Sequence, residues 1–177
     1  MNIEHLALPL KGMIRDVPDF PKKGIVFKDI TTLLKDPVCF RRAMDLFSVL
    51  CGGRGADKLA AVESRGFILG GLLADRLGIG FVPVRKPGKL PAQAVRATYE
   101  LEYGSDAVEI HEDAVAPGER VLVVDDVIAT GGTAKAAGEL VQKLGGQVVA
   151  YAFLIELTFL GGRDKLKDAE VLSLIRY

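Results

Sequence analysis

Net charge is the first thing this sequence lacks. Its 23 lysines and arginines are matched by 23 aspartates and glutamates, so bulk electrostatics exerts no pull toward nucleic acid or an anionic membrane surface. Histidine and cysteine are scarce. His5, His111, Cys39 and Cys51 are the full supply, and their positions show no metal-ligand spacing. Both cysteines fall in stretches that read as helix and are expected to be plain reduced thiols, as in a cytoplasmic protein. No apolar run approaches the roughly 20 residues of a membrane span. The opening MNIEHLALPLKGMIRDVPDF has an acidic residue early and lacks the basic-then-apolar order of a secretory leader. Repeats and low-complexity tracts are missing too. The expectation is a cytoplasmic chain with neither nucleic-acid nor membrane partners.

What is present suits one core. The chain has 177 residues, 49% of them hydrophobic, enough for a single domain. Apolar strands and helices alternate along it. A helix is predicted over residues 6–14, stopped by Pro18. The stretch DFPKKGIVFKDITTLLKDP then reads as a surface loop. Asp36 caps a helix that opens at Pro37 and closes at Gly52-Gly53. Strands are predicted at residues 58–62, 81–84, 121–124, 147–157 and 170–177, and helices at 67–77 and 133–144. ATYELEYG and DAVEIHEDAV alternate apolar and polar residues, as in an antiparallel hairpin turning at Gly104-Ser105-Asp106. Strands separated by helices of ten or more residues imply crossover units. The predicted fold is α/β: a doubly wound parallel sheet over residues 36–177. Residues 1–35 form an N-terminal hood, and a hairpin flap is inserted near residues 85–116.

One stretch carries the chemistry: VLVVDDVIATGGTAKAA. In an open parallel sheet, ligands bind beyond the carboxyl ends of the strands. The strand at residues 121–124 delivers Asp125 and Asp126 to that edge. Ala129, Thr130, Gly131, Gly132 and Thr133 follow and lead into a helix. Glycine permits close approach of backbone N–H groups to an anion, and the helix N-terminus adds partial positive charge. This is a phosphate cradle, yet neither GxxxxGK[ST] nor GxGxxG is present. Carboxylates would repel the phosphate itself. They suit uncharged hydroxyls a few ångströms away, such as the vicinal pair of a ribose 5-phosphate. A plain turn with a solvated acidic pair is the alternative.

VLVVDDVIATGGT resembles the PRPP-binding signature of the type I phosphoribosyltransferases, which a few PRPP synthetases and regulatory proteins share. DFPKKGIVFKDITTLLKDP, ESRGF, RKPGKLP, YELEYG and IELTFLGGR are similar, in order and spacing, to the branch of that family that uses adenine. The resemblance spans nearly the whole chain. It implies transfer of a phosphoribosyl group from PRPP to adenine, giving AMP and pyrophosphate. Mg²⁺ would be chelated by the substrate and not by the protein. A homodimer is also implied, with Arg85 reaching across. Another purine or pyrimidine base, or a PRPP-sensing regulator, remains open. The regulator is disfavoured because the chain has no spare length for a DNA-binding module and no basic face.

The resemblance also places the remaining site residues. Ser64 and Arg65 of ESRG would hold pyrophosphate, with Arg65 also near the base; alone, the motif reads as a serine cap beside a surface arginine. Arg85, Lys86 and Lys89 of RKPGKLP would clamp the diphosphate; alone, they form a solvated basic loop. Glu102 would handle a purine proton, with Tyr103 packed on the same flap. Val26, Phe27, Ile128 and Leu157 would enclose the base; alone, IVF reads as a short apolar anchor for the N-terminal loop. Lys28 stands where many relatives carry arginine; lysine keeps the charge but loses the bidentate fork, so no specific contact is assigned to it.

Overall fold

The computed structural model describes residues 3–100 and 104–177. Five parallel strands form the central sheet: β3 (Lys58–Val62), β4 (Gly80–Val84), β7 (Arg120–Ile128), β8 (Gln147–Glu156) and β9 (Glu170–Arg176). Their spatial order is β4-β3-β7-β8-β9. Side chains alternate across a strand, and both faces are apolar. On β7, Leu122 and Val124 join one core while Val121 and Val123 join the other.

The first face is covered by α1 (Ile3–Lys11), α3 (Pro37–Cys51) and α4 (Arg65–Leu77). Asp36 caps α3 as expected, accepting from the N–H groups of Val38 and Cys39 at 3.0 and 2.8 Å. Gly78 ends α4 in the left-handed conformation, φ +65°. Both cysteines lie on α3, and burial pushes the Cys51 thiol up to about 12, far from reactive thiolate character. The second face is covered by α5 (Gly132–Lys143) and by the hairpin of β5 (Ala94–Glu100) and β6 (Ser105–His111).

Three expectations need correction. The first helix covers Ile3–Lys11, not residues 6–14, because Arg15–Pro18 is drawn into strand β1 by pairing with β2 (Val26–Asp29). Pro18 therefore ends an edge strand instead of stopping a helix. The supposed surface loop thus contains β2 and a one-turn helix, α2 (Thr31–Leu34), with Ile30 and Leu33 fully buried. Finally, Ser105 and Asp106 are not turn residues, since they pair with Glu100 and Tyr99 in the ladder. Within the inserted hairpin, Val108 and Ile110 are buried in the second core, and Arg85 bridges to Glu109 through two backbone hydrogen bonds.

Candidate active site

An open cavity of about 400 Å³ lies over the carboxyl ends of β3 and β7. The run Val62–Arg65 forms one wall, Asp125–Ala134 the floor and far wall, and Lys86 and Tyr99 the rim. Ser64, Arg65, Lys86, Asp125, Asp126, Ile128, Ala129, Thr130, Gly131, Gly132 and Thr133 all line this cavity.

The acidic pair sits inside a strand. β7 continues to Ile128 because β8 pairs with it as far as Ile128↔Glu156, so the carboxylates leave a rigid ladder rather than a loop. Asp125 packs against the start of α4: a Cβ on Gly66 would stand 2.9 Å from its Oδ1. That oxygen accepts from Asp126 N–H at 2.8 Å. Burial, reinforced by the Asp126 charge, raises the Asp125 carboxyl well above the usual carboxylate range. Asp126 is only 5% exposed, and Arg65 Nε donates to its Oδ2 at 2.5 Å.

The Ala129–Thr133 loop owes its shape to two glycine pairs. Gly131 has φ +77° and caps α5. A Cβ there would lie 2.3 Å from the Gly162 carbonyl oxygen, and one on Gly162 would lie 2.2 Å from the Ala129 oxygen. The loop therefore rests directly on the backbone of the turn at Gly161-Gly162. Gly132, Thr133 and Ala134 supply the first-turn N–H groups that no helix satisfies internally, and all three line the cavity. Opposite them, Ser64 holds φ +71° and makes no side-chain cap. Such a conformation in a non-glycine residue costs energy and gathers at functional sites. The serine-cap reading of ESRG is not what the fold adopts.

Of the basic loop, Lys86 alone reaches the rim. Its ammonium is ion-paired with Asp106 and donates to Tyr99 Oη at 2.9 Å. Arg85 turns back on its own loop, with Nη1 donating to the Lys89 carbonyl at 2.9 Å and Nε 3.4 Å from Glu63 Oε2. Lys89 is exposed and lies outside the lining.

On the hood, the Phe27 ring lies 4.9 Å from the Arg65 guanidinium carbon, and Phe20 packs edge-on against it at 5.2 Å. Phe27 thereby stacks on the arginine that pairs with Asp126. Val26 is exposed and apart from the lining. Leu157 donates its N–H to Ile128 O at 3.0 Å, but its side chain packs with the first core. Lys28 does make contacts, with Asp16 at 2.6 Å and over the Tyr177 ring at 3.9 Å, so it ties the hood to the residue that follows β9. Glu102 and Tyr103 lie outside the described residues.

Sequence reasoning passed over Glu63, Tyr99, Val127 and Gly162. Glu63 accepts from Lys86 N–H at 3.1 Å and so orders the basic loop. Tyr99 packs on Gly132, whose Cβ would be 3.2 Å from its ring. The glycine pair in FLGGR was the readable signal for Gly162; the other three had none.

Comparison with known proteins agrees with this geometry. The phosphoribosyl transferase domain family matches residues 30–174. An adenine phosphoribosyltransferase of Geobacter metallireducens is 58% identical over 95% of this chain and 98% of its own length. The crystal structure of the Thermoanaerobacter pseudethanolicus adenine phosphoribosyltransferase superposes with a TM-score of 0.92 at 53% identity, covering 99% of this chain and all of that one. The Saccharomyces cerevisiae enzyme, complexed with an imino-altritol bisphosphate and adenine, gives 0.91 at 45% identity over 96% and 98% of the two chains. With a glycine loop, an acidic pair and an arginine beneath an aromatic ring of the hood at one sheet edge, the chain belongs to the phosphoribosyl transferase family, among the adenine phosphoribosyltransferases.

Proposed function

We propose that the protein transfers the 5-phosphoribosyl group of PRPP to adenine, releasing pyrophosphate and forming AMP, as a step of purine salvage. The observation that carries this is the meeting of the Ala129–Thr133 loop, the Asp125–Asp126 pair and Arg65 in one cavity, with the Phe27 ring lying over that arginine. The 5-phosphate sits on the first-turn N–H groups of α5 and the Thr130 and Thr133 hydroxyls. The carboxylates hold the ribose hydroxyls and favour positive charge developing at the anomeric carbon. The C1–oxygen bond to diphosphate breaks as the C1–N9 bond forms on the opposite face, inverting the centre. The N9 proton passes to a base, for which Glu102 is the nominee, with Tyr103 beside it.

Ser64, Arg65, Lys86 and Lys89 take the diphosphate, and Arg85 shapes that loop. Mg²⁺ chelated by the substrate would neutralise charge on its diphosphate. Phe27 stacks on the base, and Val26, Ile128, Leu157 and Arg65 complete its surroundings. The setting is the cytoplasm and the working unit a homodimer. Supporting the dimer, Ile68 and Leu72 on one face of α4 and Phe81 on edge strand β4 remain 44, 41 and 40% exposed, an apolar surface suited to a second copy. Incubating PRPP with adenine, hypoxanthine, guanine, xanthine, orotate and uracil in turn tests the activity. AMP formation from adenine supports it, and turnover of hypoxanthine without adenine overturns it.

A further inference from the structure

Lys86 brings its own counter-ion to the cavity. Its ammonium is ion-paired with Asp106 and donates to Tyr99 Oη, which in turn donates to Asp106 Oδ2 at 3.3 Å. Asp106 and Tyr99 face each other across the β5–β6 ladder, so the two partners of Lys86 are held by paired strands. The main chain is pinned as well: Lys86 N–H donates to Glu63 Oε2, and Ala107 N–H donates to Asp106 Oδ1 at 2.8 Å. Lys86 and Tyr99 line the cavity, whereas Asp106 stands behind them. The hydrogen bond from Lys86 holds the Asp106 carboxyl below its ordinary range, so it is ionised at neutral pH.

A cation meant only to grip an anion would not be neutralised in this way. Any diphosphate that reaches Lys86 also meets a fixed negative charge touching the same ammonium. We propose that Asp106 competes with the diphosphate for Lys86, weakening the hold on pyrophosphate and easing its departure after transfer. This rests on the reading of Lys86 as a diphosphate contact. Release of product limits many enzymes, and affinity differences within one site fall mostly on the off-rate. The carboxylate thus acts as a positioning residue that lets Lys86 be shared and returned.

Asp106→Asn keeps the shape and an acceptor for Lys86 while deleting the charge; Asp106→Ser deletes it differently and guards against a folding artefact. Inhibition of AMP synthesis by magnesium pyrophosphate is the readout. Both variants should bind pyrophosphate about fivefold more tightly at low salt, the scale expected for one partly screened charge at this range. The gain should fade as ionic strength rises. Unchanged or weaker pyrophosphate binding overturns the inference. Lys86→Ala separates the two layers. If it leaves pyrophosphate affinity unchanged, the diphosphate role of Lys86 fails. If it weakens affinity while the Asp106 variants do not tighten it, the counter-ion inference alone fails.

Discussion

The two sides of the cavity are built differently. The phosphate side, residues 125–134, is one continuous piece of chain running from strand to helix, held by backbone pairing with β8 and by backbone contact with Gly162. The side proposed to face the base is assembled from pieces distant in sequence. Phe27 comes from a two-stranded ribbon, Arg65 from the start of α4, and they meet only through side chains. The hood is held by Arg15–Asp29 and Lys28–Asp16 pairs across its own strands and by Lys28 over Tyr177. A backbone-built site tolerates little displacement and recognises what every substrate shares. A side-chain-built site can be altered residue by residue, which suits recognition of the base.

This contrast can be broken most severely at the acidic pair. Asp125→Asn with Asp126→Asn should lower kcat/KM for AMP formation by at least about 10³-fold, the scale of losing preorganised charge stabilisation. Unchanged kcat/KM would remove the pair from the mechanism. Next comes the support beneath the cradle. Gly162→Ala places a methyl group against the Ala129 oxygen and should raise KM for PRPP about thirtyfold, roughly 2 kcal/mol, while KM for adenine stays within twofold. A matching rise for both substrates would mean that the two sides are not independent. Phe27→Ala should do the reverse. Losing a stacking face worth about 1–3 kcal/mol per base should raise KM for adenine about tenfold and leave that for PRPP nearly unchanged.

The smallest effect concerns stability of the hood. The hydrogen bond from Arg15, with those from Thr31, lowers the Asp29 carboxyl from 3.8 to about 2. A depressed carboxyl stabilises the fold above its unfolded value, and that contribution is lost as pH falls from about 4 to about 2. Asp29→Asn should therefore melt a few degrees lower at pH 7, with the difference from wild type shrinking toward pH 2. A constant difference across that range would show that the pair contributes nothing through ionisation.

Legibility of the molecule followed the same division. The alternation of strands and helices, the capped start of α3 and the Gly78 stop were readable because each depends on neighbours within a few residues. Boundaries set by remote pairing were not. Pro18 looks like a helix stop until β2 is placed beside it, and Asp106 looks like a turn residue until the ladder register with Tyr99 is known. Glu63 and Tyr99 carry no local mark that separates them from ordinary surface residues.

By itself, then, the sequence determined the parallel α/β sheet, the glycine loop leading into a helix and the presence of two carboxylates beside it, because all three are properties of contiguous segments. The tertiary structure alone decided that the carboxylates stand within an extended strand, that Gly162 carries the cradle, that Phe27 roofs Arg65 and that Asp106 neutralises Lys86. Each of these joins residues 20 or more positions apart. Such contacts arise from packing and register, which no single stretch of chain encodes.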